Sequence, residues 1–296
     1  MGKTTRASTP ALAALLGLLA LPAAGGAASS PNGIGRMAVT PTIVTAGSTN
    51  ELSFTFTADS SPLKGQTIVD VPRGWTLPQR QSSALPGHVE LKPGTCGRST
   101  RIAAVKGRRI TITTACARRQ SYQLFFHKAT APGIAADGYI FVARTRSSKG
   151  GAKSKFRPLG RRKQPIVRVR GGLATSLFIG VTSVATSGVG FSVTVRGVDV
   201  YGNNAYPYFG KTLSLTSTDP HATLPAPYTL QPTDVAQHIF PGVTLRTPGT
   251  QRITATDASG LTVQSPPITV SSASGATGYW ASAFAGSVGN SAQRRR

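Results

Sequence analysis

The chain is poor in acid. It has 296 residues, with 9 Asp and Glu against 33 Lys and Arg, a formal net charge of +24. So few carboxylates leave little material for the paired acids of glycoside hydrolysis. Histidine is scarce too, at His88, His127, His221 and His238, with no H-E-x-x-H among them. The two cysteines, Cys96 and Cys116, lie 20 apart rather than in C-x-x-C, which argues against the usual zinc sites. No serine sits in G-x-S-x-G. Ser61-Pro62-Leu63-Lys64 fits S-x-x-K, but its companion motifs are missing. No helix-turn-helix, zinc-finger or ribonucleoprotein pattern is present, so sequence-specific nucleic-acid recognition is not expected. These absences point to a non-catalytic chain without cofactor or metal.

Long apolar runs are also missing. The longest, Ala11 to Leu21, follows the basic Lys3 and Arg6 and precedes small residues ending at Ala28–Ser29. It is too short for the roughly 20 residues that span a bilayer. This is the three-part pattern of a secretory signal peptide over 1–28, and it implies export. No transmembrane segment is expected elsewhere.

What is present is short-period alternation. Phe191, Val193 and Val195 alternate with Ser192, Thr194 and Arg196; Leu213 and Leu215 alternate with Ser214 and Thr216. Turn clusters such as Tyr201-Gly202-Asn203-Asn204 and Asp257-Ala258-Ser259-Gly260 separate the runs. Period-two runs between turn residues are half-buried strands, and their spacing predicts a β-sandwich. Asp199, Asn203, Asp219 and Asp257 fall in these turns; such oxygens can hold Ca²⁺, but Asp and Asn are first of all turn residues.

Upstream, strands are predicted over 37–45, 51–58, 66–71, 101–105, 109–114, 122–127, 139–146 and 166–170. They give a second sandwich, with Trp75 as a core or rim residue. The expectation is all-β: two immunoglobulin-like sandwiches in tandem over 29–170 and 171–270, after a signal peptide and before a disordered tail, 271–296. The Ser/Ala/Gly-rich composition predicts the tail. Gly171-Gly172 marks the boundary, and first proteolytic attack is expected there or in the tail.

The order D-x-Y-G-N (Asp199 to Asn203), L-x-x-T-S-x-D-P (Leu213 to Pro220), A-T-L-P (Ala222 to Pro225), P-x-x-Y-T (Pro225 to Thr229), H-x-F (His238 to Phe240) and V-T-L-x-T-x-G-x-Q-x-I-T-A-T-D (Val243 to Asp257) resembles bacterial immunoglobulin-like repeats. The resemblance implies an immunoglobulin-like fold and a secreted or surface location, in spacer, adhesive or accessory roles, with no catalytic residues to carry over. More loosely, V-T-P-x-x-V-x-A-G-S (Val39 to Ser48), V-x-V-P-x-G-W (Val69 to Trp75) and P-G-x-V (Pro86 to Val89) resemble a strand-rich domain of secreted bacterial proteins.

Cys96 and Cys116 flank a predicted hairpin, 101–114, with its turn at Lys106-Gly107-Arg108. In an exported chain the pair reads as a disulfide. Two free or metal-binding thiols are the alternative.

Charge is unevenly placed. Residues 29–170 hold 24 Lys and Arg against five acids, net +19; residues 171–270 hold four of each. Lys149, Lys153, Lys155, Arg157, Arg161, Arg162, Lys163, Arg168 and Arg170 form the densest run, with no acid between them. Such a run can pair with phosphate, sulfate or carboxylate groups. The expected partner is therefore anionic polysaccharide or another cell-envelope polymer. Solubility alone, or a solvated hairpin loop, is the plainer account of the same charge.

Overall fold

The structure is a computed structural model, and it describes residues 32–59, 61–149 and 154–273. The expected signal peptide, residues 274–296 of the expected disordered tail and Lys153 lie outside the described residues, while Ser271, expected to open the tail, ends a strand. Among the described residues no helix is long and apolar enough to cross a membrane.

The first half contains twelve strands: β1 (Arg36–Thr40), β2 (Ile43–Thr45), β3 (Thr49–Thr57), β4 (Leu63–Asp70), β5 (Val89–Lys92), β6 (Arg101–Lys106), β7 (Arg109–Cys116), β8 (Ser121–Thr130), β9 (Ala136–Ile140), β10 (Val142–Ser147), β11 (Arg157–Pro158) and β12 (Ile166–Arg170). One sheet runs β1-β3-β8-β5; facing it are β11-β10-β4-β7-β6 and β2-β12-β9. The predicted alternation is what packs them. Leu52, Phe54 and Phe56 of β3 and Tyr122, Leu124 and Phe126 of β8 point inward, against Ile110 and Ile112 of β7. Trp75 is buried and meets Phe141 edge-on at 5.2 Å, while Phe54 lies 4.9 Å from the same ring. Each fully buried aromatic contributes roughly 1.5–3 kcal/mol relative to exposure.

The second half repeats the plan with β13 (Ser176–Gly180), β14 (Val184–Thr186), β15 (Gly190–Val198), β16 (Thr212–Ser217), β17 (Tyr228–Thr229), β18 (Gln237–Thr244), β19 (Gly249–Gln251), β20 (Ile253–Asp257), β21 (Thr262–Gln264) and β22 (Ile268–Ser271). Its sheets are β13-β15-β18, β14-β22-β19 and β17-β16-β20-β21, closed over Val193, Val195, Leu213, Phe240 and Ile253. In each half the opening strand breaks in two. The first part pairs antiparallel with the next strand, and the second crosses over to lie parallel to the last: β2 on β12, β14 on β22. With the β1-β3-β8-β5 order this is the immunoglobulin arrangement.

Three expectations change. The strand expected over 37–45 is two strands, because Pro41 offers no N–H to a ladder and the chain crosses to the other sheet there. The strand expected over 139–146 divides at Phe141, whose N–H bonds Pro165 O at 3.0 Å instead of the neighbouring ladder. Gly171-Gly172 is not an open linker. Gly171 is buried, and Gly172 gives its N–H to Asp199 Oδ2 and its carbonyl to Tyr206 N–H, both at 2.8 Å.

Cys96 and Cys116 form a disulfide. Cys96 lies in a short turn after β5 and Cys116 at the end of β7, so the bond ties the two sheets together. A loop of this size contributes roughly 3 kcal/mol by restricting the unfolded chain. The hairpin beneath it turns through Gly107-Arg108, with Gly107 at φ +55°, as a two-residue loop with glycine at its first position requires.

Candidate functional site

The basic run of the sequence does not stay together. Lys149 follows β10, where its N–H meets Ser147 Oγ at 3.3 Å. Lys155 is exposed, and Arg157 stands on β11 opposite Thr145. Arg161, Arg162 and Lys163 form one exposed turn before β12. Arg168 and Arg170 lie elsewhere: Arg168 pairs with Asp137 at 3.1 Å, and Arg170 covers the Tyr206 ring of the second sandwich at 4.5 Å.

What the fold adds is a second source of charge. Arg162 and Lys163 line an open groove with Arg36 of β1 and with Arg118 and Arg119 of the β7–β8 turn. That turn is held against the end of β3 by Arg119 N–H to Ala58 O, 2.6 Å, and Ala58 N–H to Gln120 O, 2.9 Å. Gln120 Oε1 closes it on Ala117 N–H at 2.7 Å. Arg119 takes φ +64° there, which presents consecutive arginines to solvent. Asp59 sits at the groove, 2.7 Å from Lys163 Nζ and 3.8 Å from Arg36 Nε. Five cations and one carboxylate thus line a groove of about 800 Å³. A concave surface lined by one sign of charge concentrates counter-ions. Sequence reasoning missed Arg36, Arg118 and Arg119. The only signal was the Arg118-Arg119 doublet, which says nothing of its distance from Arg162.

The turn acids of the second sandwich are anchors. Asp219 accepts from His221 N–H at 2.9 Å, Thr247 Oγ1 at 2.6 Å, Arg246 N–H at 2.6 Å and Thr247 N–H at 3.0 Å. Burial alone would raise its pKa; these hydrogen bonds outweigh burial and hold it well below the usual carboxylate range. Asp257 accepts from buried Tyr208 Oη at 2.7 Å and from Ser259 and Leu261 N–H groups; burial again opposes these bonds, which prevail and lower its pKa. The same carboxylate, together with burial, raises the pKa of Tyr208. Asp199 accepts from Gly172, Tyr201 and Asn203, and its pKa is likewise lowered against burial. Oxygens facing N–H and O–H donors are built to stay as carboxylates inside turns rather than to ring a cation.

Asn203 carries the junction between the sandwiches. Its Nδ2 donates to Gly133 O at 2.8 Å, and its Oδ1 accepts from Ala135 N–H at 2.9 Å. Asp199, from the same turn, holds Asn203 Nδ2 at 2.9 Å. The histidines are less scattered than the sequence implies. His88 and His127 stack at 5.9 Å, and His127 lies between Glu51, 2.6 Å, and Glu90, 3.5 Å.

No family model matches the chain, and no curated protein matches it in sequence. Among solved structures, the adhesin InvE of Yersinia pseudotuberculosis aligns at 12% identity and TM-score 0.29, covering 80% of this chain and 58% of that one. A marsupial T cell receptor aligns at 13% identity and TM-score 0.30, covering 78% and 61%. Invasin, a bacterial integrin-binding protein, aligns at 13% identity and TM-score 0.28, covering 80% and 39%. The chain thus spans less than two thirds of each of these structures.

Proposed function

We propose that this is a secreted or cell-surface, non-catalytic immunoglobulin-like protein that adheres to anionic envelope polymer through its basic first sandwich. On this reading a signal peptide occupies 1–28, the binding domain 29–170, a bacterial immunoglobulin-like repeat 171–270 and a tail 271–296. The observation that carries it is the groove lined by Arg36, Arg118, Arg119, Arg162 and Lys163, with Asp59 the one acid among its described lining residues. Arginine forks pair with carboxylate, sulfate or phosphate in two parallel hydrogen bonds, and lysine adds a point charge. Affinity then comes from counter-ion release, steep in salt and indifferent to sequence.

The test is retention of the full chain on heparin and on purified envelope polymer at rising salt. Replacing Arg118, Arg119, Arg162 and Lys163 by Gln is expected to move elution to clearly lower salt. Replacing four exposed cations away from the groove (Arg73, Lys92, Arg98 and Lys106) is expected to move it less. Equal shifts in both variants would reduce the groove to general charge. Unchanged elution in both would leave the second reading, a spacer, which the Asn203 junction favours by holding the two sandwiches in one arrangement.

A further inference from the structure

A second concavity lies between the two sandwiches, and its chemistry differs from that of the groove. It is lined by Arg168 and Arg170 from β12 and by Tyr206 and Phe209 from the β15–β16 connection, with Asp137 at its edge. Its volume, about 380 Å³, falls in the range of small-molecule sites, roughly 300–1,000 Å³. Tyr206 and Phe209 are each 51% exposed, unusual for rings of that size beside a core. Arg170 faces the Tyr206 ring, and among the described residues it has no carboxylate partner within 4 Å.

We propose that this cleft binds an acidic saccharide, one ring of a uronic acid type, with its C–H face on Phe209 and on the face of Tyr206 that Arg170 leaves uncovered, and its carboxylate on Arg168 and Arg170. Three observations converge. A carboxylate already lies beside Arg168: Asp137 Oδ1, 3.1 Å from Nε, on a side chain 94% exposed and so displaceable by a ligand. Tyr206 and Phe209 both line the cleft half exposed, and an aromatic ring face suits a sugar that is apolar on one face and polar around its rim. The walls are pre-set, because Asn203 bonds Gly133 and Ala135 across the junction and Asp199 and Tyr206 both bond Gly172. A ligand therefore meets a formed site and does not have to order it. An acidic peptide shares the carboxylate but lacks the flat C–H face. The cleft and the groove use different residues, so either can fail alone.

The experiment is calorimetric titration of the full chain, in about 0.15 M salt so that charges beyond roughly 8 Å are screened. The probes are a tetrasaccharide of alternating glucuronate and N-acetylglucosamine, its carboxyl-reduced form, and hexaglutamate. Thermal melting of every variant is recorded first. The tetrasaccharide is expected to bind, and the carboxyl-reduced form to bind at least roughly tenfold more weakly, as for a lost charge-assisted pair. R168Q/R170Q and Y206A/F209A are each expected to weaken Kd by about tenfold or more. R118Q/R119Q/R162Q/K163Q should leave Kd unchanged. Absence of binding, equal binding of hexaglutamate, or a normally folded Y206A/F209A with wild-type affinity overturns the proposal. Loss of heparin retention with intact tetrasaccharide binding, or the reverse, tells the two sites apart.

Discussion

At the scale of single residues, the second sandwich depends on carboxylates that cannot easily take up protons. Asp219 joins the Asp219-Pro220 turn to the loop at Arg246-Thr247 by three hydrogen bonds and closes its own turn by a fourth, from His221 N–H. Its pKa lies below the unfolded value of about 3.9, so its contribution is complete above that pH and is lost as pH falls toward the folded value. Asp199 and Asp257 act in the same direction. Asp219→Asn is expected to cost about 2–3 kcal/mol at neutral pH, since an amide NH₂ would face N–H donors. The difference from wild type should shrink between about pH 4 and pH 2, as wild type loses the same charge. Denaturant unfolding across that range checks it; a pH-independent difference would refute the assignment. This role was only half legible. The sequence placed Asp219 in a turn, but its partners at Arg246 and Thr247 belong to another strand connection, which no local pattern announces. Trp75 was legible only as a core or rim residue; the fold decides for the core, where its ring is buried.

At the scale of elements, alternation carried most strands, and crossings between sheets were where it fell short. β3 and β7 read cleanly because one face of each is buried along its length. The break between β1 and β2 did not show, since the apolar alternation runs straight through Pro41 while the pairing partner changes. The short turn Asp199 to Asn204 read as a connection and proved to be the joint. Gly171 has no room for a side chain: an added Cβ would stand 2.0 Å from Asn204 O. Gly171→Ala is therefore expected to push that turn off Gly133 and Ala135, at roughly 1–3 kcal/mol. Limited proteolysis checks it. The wild-type chain should resist cutting between residues 170 and 173, and the variant should be cut there faster. Equal rates would mean the joint tolerates displacement.

At the scale of the whole molecule, the contrast of +19 with zero was plain in the sequence, because charge can be counted without a fold. Its distribution was not. Lys149 to Arg170 looked like one site, and the fold sends Arg162 and Lys163 to the groove and Arg168 and Arg170 to the junction. β12 is the reason: a strand moves its residues at about 3.3 Å each, so five positions carry the chain across the sandwich. Several remaining cations cover aromatic faces. Arg146 lies over Phe156 at 4.5 Å, Arg196 over Phe178 at 4.6 Å and Lys92 over Phe125 at 4.9 Å. Part of the positive charge therefore covers exposed Phe178 and the half-buried Phe125 and Phe156 rings, whatever the rest binds.

The parallel pairing of first and last strands has a mechanical consequence. A pull along the chain loads β1 or β13 first, antiparallel to β3 or β15, then reaches β2 or β14, and it leaves through β12 or β22, the strands lying parallel beside β2 and β14. Tension then tries to slide one strand past the other. The bonds from Arg168 N–H to Thr42 O and Ala46 N–H to Arg170 O in the first clamp, and from Thr269 N–H to Ser183 O and Ser187 N–H to Ser271 O in the second, share that load instead of opening in turn. Stretched from its ends in a single-molecule instrument, the chain should resist as two clamps in series and give two separate rupture peaks. Ala185→Pro, which removes an N–H from the second clamp, should lower one peak and leave the other. A chain held at one end and tugged by flow at the other would keep its shape until one clamp sheared.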